Sequence, residues 1–154
     1  MRFRILFFAF LILLFIGCGM LGGFDRRTFP SSKRDLAKSI DKLYRKYPEY
    51  VIPDKWKKYD DWKERGFGFL DTRIFYFKDA PEEMYYVSFY GDSVEQHSLY
   101  KISIAIRAVC SGTAYWKLEK EYKRKERERI EQRFDKEIIS KLEQDMEVQA
   151  YREK

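Results

Sequence analysis

The chain reads as an α+β protein with N-terminal helices, a three-stranded antiparallel β-meander and a long C-terminal helix. Three observations predict this class. A capping serine at position 32 precedes apolar residues spaced as on one helix face. Aromatic and β-branched runs with period-two alternation occupy residues 67 to 110. From about Thr113 onward there is neither proline nor glycine, only residues that favour helix.

Residues 19 to 31, GMLGGFDRRTFPS, combine glycines, a proline and polar residues, the composition of a flexible tether. Ser32 then serves as N-cap, with Asp35 three places on as a weaker capping box. Leu36, Ile40, Leu43 and Tyr47 follow at spacings of four, three and four, a single apolar face closed by Pro48. A short second helix is expected over DKWKKYDDWKERG, where Trp56, Tyr59 and Trp62 sit three apart and Gly66 ends the turn.

Three strands come next. Phe67 to Phe77 leads through the KDAPEE turn into Met84 to Tyr90, which alternates strictly. In Tyr100 to Cys110, Ile102, Ile104, Ile106, Ala108 and Cys110 are expected on one face, and Lys101, Ser103 and Arg107 on the other. Short connections favour an antiparallel meander with one face under helices. Trp116, Leu118 and Tyr122 can pack the last helix on the sheet, but KRKERER, residues 123 to 129, is seven consecutive charges. No helical face there can enter a dry core, so residues 123 to 154 are expected to project as a charged, amphipathic helix. Beyond the charges, Ile130, Phe134, Ile138, Leu142 and Met146 recur every fourth residue. At about 100° per residue that spacing drifts about 40° each time, a slanting stripe and not a strict coiled-coil seam.

The composition, 45% apolar with 36% charged among 154 residues, suits one globular domain with a charged surface and excludes a polytopic membrane protein. The net +6 is uneven. Residues 26 to 58 hold eleven Lys and Arg against four Asp and Glu, while residues 59 to 116 hold six against nine and 117 to 154 hold twelve against eleven. A basic excess beside a hydrophobic N-terminus suits anionic lipid headgroups. Nucleic acid is not an expected partner, because the C-terminal segment is nearly neutral and no nucleic-acid motif occurs.

Arg2 and Arg4 precede twelve consecutive apolar residues, Ile5 to Ile16, and then small Gly17, the order of a secretory signal. The following Phe15-Ile16-Gly17-Cys18 resembles a bacterial lipobox, with Phe15 where leucine is usual. The resemblance implies a signal peptide over residues 1–17, lipid attached to Cys18, and cleavage that makes Cys18 the N-terminus of a tether reaching residue 31. With no acidic residue in Gly19 to Gly22, it also implies a periplasm-facing outer-membrane destination in a diderm cell. A rival reading stays open: residues 5 to 24 are twenty uncharged residues, enough for an uncleaved membrane-spanning anchor.

Few residues suggest chemistry. Trp56 and Trp62 could stack a ligand, or could pin a helical turn to the sheet. Cys110 is expected as a buried, inert thiol, and the single His97 as a loop residue. Asp60-Asp61 and Glu82-Glu83 are adjacent pairs whose side chains diverge, unsuited to an acid/base dyad. Phosphate-loop, nucleophile-elbow, zinc-spacing and dinucleotide motifs are missing, so no metal, cofactor or enzymatic activity is expected.

The sequence therefore points to a domain over residues 32–122, lipid-anchored at the bacterial cell envelope. Its topology is similar to that of some small outer-membrane assembly lipoproteins. The expected role is an accessory or scaffold subunit of an envelope assembly such as a secretion system. It would hold a protein partner, or a second copy, through Ile130, Phe134, Ile138, Leu142 and Met146. The alternatives are a lipid-anchored immunity protein that neutralises a toxin and a small ligand-binding lipoprotein.

Overall fold

The structure, a computed structural model, describes residues 23–91, 94, 97–112 and 115–153. Its elements are β1 (Arg26–Phe29), α1 (Lys33–Lys46), a 3-10 turn (Pro48–Tyr50), α2 (Asp54–Lys57), a π turn (Lys63–Phe67), β2 (Thr72–Phe77), β3 (Glu83–Tyr90), β4 (Ile102–Cys110) and β5 (Trp116–Leu118). A 3-10 turn (Glu119–Glu121), α3 (Arg124–Phe134), a second π turn (Asp135–Ile139), α4 (Ser140–Met146) and β6 (Tyr151–Glu153) complete the chain.

The α+β class holds, but the sheet has six strands among the described residues where the sequence predicts three. Strands β2, β3, β4, β1 and β6 lie side by side in that order, and every pair is antiparallel. Strand β4 is the axis. One edge pairs with β3; the other is shared, with β1 against Ile102 to Ile104 and β5 against Ala108 to Cys110. Between those two, the Phe24 N–H donates to the Ile106 carbonyl at 3.0 Å.

That arrangement corrects the tether reading of residues 18–31 over its described part. Phe24 and Phe29 are core residues, and β1 is an interior strand between β4 and β6. The chain is thus already packed at residues 23 and 24, well before residue 32. Four residues as short and charged as RRTF carry no alternating apolar signal, and pairing is secured instead by backbone bonds to β4.

Helix α1 forms as expected. Ser32 Oγ accepts from the Asp35 N–H at 3.2 Å and donates to its carboxylate at 2.6 Å. Leu36, Ile40 and Leu43 are buried on the sheet. The resulting core joins them to Tyr85, Val87 and Phe89 of β3 and Ile102, Ile104 and Ile106 of β4.

A β-bulge overturns the single-face reading of β4. Tyr86 pairs with Ala108 and Val87 with Ile106, leaving Arg107 without an opposite residue. The extra residue reverses the alternation beyond it. Ala108 and Cys110 consequently join a second cluster on the opposite face, with Trp56, Trp62, Tyr76, Met84, Tyr86 and Trp116.

The C-terminal segment neither starts at Thr113 nor projects. Residues 116 to 118 are a strand, helix begins at Arg124, and Ile130, Phe134, Ile138 and Leu142 are all buried in the main core. Met146 packs half-buried at its margin. The π turn explains how a stripe with spacing four stays against one surface. Its wider i→i+5 turn advances less per residue and offsets part of the α-helical drift.

Of the seven charges, Lys123, Arg124, Lys125 and Glu128 stay exposed, while Arg129 and the charges just after the run are held at the rim. Glu83, 1% exposed, accepts from Arg129 Nη2 at 2.5 Å, Arg129 Nη1 and Arg133 Nη1 at 3.1 Å each, and Tyr85 OH at 3.1 Å. On the other side of the helix Arg27 of β1 donates to both Asp135 oxygens, at 2.5 and 2.9 Å. Glu131 is similarly held by the Asp25 N–H and by Arg152 of β6. Like the core stripe, these bonds tie the helix to distant strands.

Candidate functional site

Cys18 lies outside the described residues. What the structure does show is the chain that follows it. A Cβ on Gly23 would come within 2.9 Å of the Ile106 carbonyl and 3.4 Å of Arg107 Cδ, so only glycine permits this approach to β4. One residue on, Phe24 is buried with its ring 6.2 Å from that of Tyr122. At most five positions therefore separate Cys18 from packed chain, a span of no more than ~18 Å when extended.

Trp56 and Trp62 are brought together, but inside the second core. Trp62 stacks on Tyr86 at 4.0 Å between ring centroids and meets Trp116 edge-on at 5.4 Å. Trp56 meets Tyr76 and Tyr59 edge-on, and Gly112 lies against its outer ring edge. The faces a ligand would stack on are filled by the protein's own rings, which corrects the stacking reading. The helical stripe at 130 to 146 is corrected likewise: the surface that covers it is the sheet and α1 of the same chain.

The adjacent carboxylates diverge as expected. Glu82 reaches Tyr76 OH and, at 2.7 Å, Lys55, while Glu83 points through the opposite face to Arg129. The hydrogen bonds from Lys55 and Tyr76 hold the Glu82 carboxyl below the usual range. Burial, then Glu64 and Asp61, push Asp60 up, and Asp61 binds Arg65 at 2.9 Å. Cys110 is fully buried and His97 is exposed. Among the described residues no group of three or more His, Cys, Asp or Glu could hold a metal, and no helix is long and apolar enough to cross a membrane.

What the fold leaves open lies at one end of the sheet. Register places the start of β2, the end of β3, the start of β4 and the start of β6 together. There Phe69 is 77% exposed, Leu99 70%, Tyr100 82% and Tyr151 46%. Behind them the outer sheet face is polar. Arg26 and Arg107 lie 4.5 and 4.7 Å from the Tyr90 ring centroid, Arg107 Nε donates to Ser88 Oγ at 2.7 Å, and Thr28 pairs with Ser103 at 2.8 Å. Burial lowers the Arg107 pKa. Sequence reasoning placed Tyr100 at the head of a strand and left Leu99 in a loop, so it missed this end. Exposed aromatics and buried ones look alike until the strand termini are aligned.

No family model, no curated protein and no solved structure matches the chain.

Proposed function

We propose that the chain is a lipid-anchored, non-catalytic envelope protein that works by binding another protein, as an accessory or scaffold subunit of an envelope assembly such as a secretion system. Lipid on Cys18 would hold it at the periplasm-facing leaflet of the outer membrane. The observation that carries this reading is how soon after Cys18 the chain is packed: Gly23, with no more than four residues between, already lies against β4. So short a separation would keep the domain at the bilayer surface. The partner-binding role passes from the helical stripe, which the protein's own core uses, to the apolar sheet end at Phe69, Leu99, Tyr100 and Tyr151.

The test is the intact mass of the mature protein recovered from membranes, wild type beside Cys18→Ser. An N-terminus at Cys18 carrying acyl mass, lost in the variant, supports the anchor. An unprocessed, unlipidated Met1 chain sinks it in favour of an uncleaved span over residues 5 to 24.

A second reading, a lipid-anchored immunity protein, is favoured by one specific observation. The C-terminal helix folds back into the core, so the binding unit is compact and lacks a projecting arm. Binding to a single enzyme at 1:1, abolished by Tyr100→Ala and accompanied by inhibition of that enzyme, would select it over the scaffold role.

A further inference from the structure

We infer that the surface beside the entry of the chain at Gly23, formed by Lys117, Lys120, Lys123 and Lys125, docks on an anionic phospholipid bilayer. This rests on the reading that the N-terminal run holds the chain in a membrane, whether through lipid on Cys18 or as a span over residues 5 to 24.

The point of entry selects the surface. Strands β1 and β5 share one edge of β4, and Gly23 and Phe24 lie between them at Ile106. Strand β5 and the turn that follows it therefore border the entry. The Tyr122 ring ties the two together: the Phe24 ring lies 6.2 Å from it and the Lys117 ammonium 5.8 Å. Arg124 and Arg127 line one hollow with Phe24 and Asp25. Lys120 sits in the 3-10 turn before Tyr122, and Lys123 and Lys125 flank Arg124 at the start of α3.

Charge is the second observation. Residues 117 to 128 hold six Lys and Arg against four Glu. All four carboxylates are taken: Glu119 by Arg127, Glu126 by Arg129 and Glu128 by Arg124 at 2.8 Å each for the last two, and Glu121 by the Leu118 N–H and the Tyr115 hydroxyl at 2.7 Å. The four lysines are exposed, and among the described residues none is in salt-bridge contact with a carboxylate. The positive surplus is thus carried by ammonium groups open to headgroups. Helix stability does not account for it, because cations at a helix N-terminus oppose the dipole.

So modest a surplus would not hold a free protein on a bilayer. With at most five positions between Cys18 and packed chain, docking is intramolecular, and a weak attraction suffices to choose the face that lies down. The partner surface stays clear of it. Strand β1 runs from the entry toward the apolar sheet end, and Ile106 lies about 14 Å along β4 from Ile102. Phe69, Leu99, Tyr100 and Tyr151 lie at that far end, off the bilayer and open to a protein.

The test uses the full-length protein recovered from membranes and placed in lipid nanodiscs of phosphatidylcholine, with or without an equal amount of phosphatidylglycerol. A nitroxide on the headgroups reports proximity by broadening amide signals. Broadening is expected over residues 117–125, about threefold stronger in the anionic discs, with residues 69 and 99–100 sharp in both. Lys120→Gln, Lys123→Gln and Lys125→Gln combined should abolish the excess. Lys38→Gln, Lys42→Gln and Lys46→Gln combined, an equal change of charge, should keep it, because Lys42 meets Asp145 about 30 Å along the helix from Arg124. Release of the wild type from the discs by high salt would overturn the membrane reading and the docking face with it. Retention with broadening centred on residues 69 and 99–100, with no difference between lipids, or with equal loss in the Lys38 set, would overturn the docking face alone.

Discussion

The two faces of the sheet are built on different terms. The helix-covered face is deep and continuous: aliphatic residues of α1, α3 and α4 close on Tyr85, Val87 and Phe89, and at its rim Arg129, Arg133, Glu131 and Asp135 are bonded to distant strands. The tryptophan face is a local patch of stacked rings under short irregular turns, and it holds two buried polar atoms without partners, Trp62 Nε1 and Asp61 Oδ1. The difference teaches that stability here is divided. Global unfolding should be governed by the first face, while the second can open on its own at lower cost.

The comparison can be broken most forcefully at Phe134, which is fully buried where α3 meets its π turn. Phe134→Ala should cost about 4 kcal/mol in denaturant unfolding, and a loss under 1 kcal/mol would show that the helix is not integral to the core. Glu83→Ala should follow at about 3 kcal/mol, because it strands Arg129 and Arg133 beside an apolar interior. Equal destabilisation by Glu83→Gln would show that the charge, and not the hydrogen bonds, is the source.

An alkaline titration sharpens the contrast next. Burial, the first cause in each case, raises the pKa of Tyr44, Tyr50, Tyr85 and Tyr122 on the helix-covered side, that of Tyr122 to about 12. A raised folded-state pKa adds stability that is complete below the unfolded value near 10 and is lost as pH rises through the folded value. We expect a fall of order 2 kcal/mol between about pH 10 and 12, discounted for the half-buried Tyr122. Phenolate absorbance should rise cooperatively with unfolding; gradual ionisation with the fold intact would contradict this.

The smallest effect belongs to the tryptophan face. Trp62→Phe removes an unpaired N–H and keeps a ring against Tyr86, so it should change global stability by less than about 1 kcal/mol. Hydrogen exchange should nevertheless quicken over residues 54 to 70 alone. Quickening in β3 and β4 as well would mean that the two faces unfold as one.

Legibility in the sequence followed locality. Helix α1 was readable because cap, apolar face and terminating proline lie within seventeen residues. Strands β1 and β6 were not, since RRTF and YRE carry no apolar alternation and are placed by partners more than seventy residues away. In the candidate site, Tyr100 was visible at the head of a strand, whereas its alignment with Phe69, Leu99 and Tyr151 at one end of the sheet was not. Nor could a period-two pattern foresee the bulge at Arg107 that sends Ala108 and Cys110 to the other face.

By itself, then, the sequence determined helix α1, strands β2 to β4, the burial of Cys110, and the requirement that the stripe from Ile130 to Met146 be covered. Only the tertiary structure decided what covers it. Hydrophobic periodicity specifies a face but not its partner; that choice falls to non-local backbone pairing and to ion pairs such as Arg27 with Asp135, whose halves lie far apart in the chain.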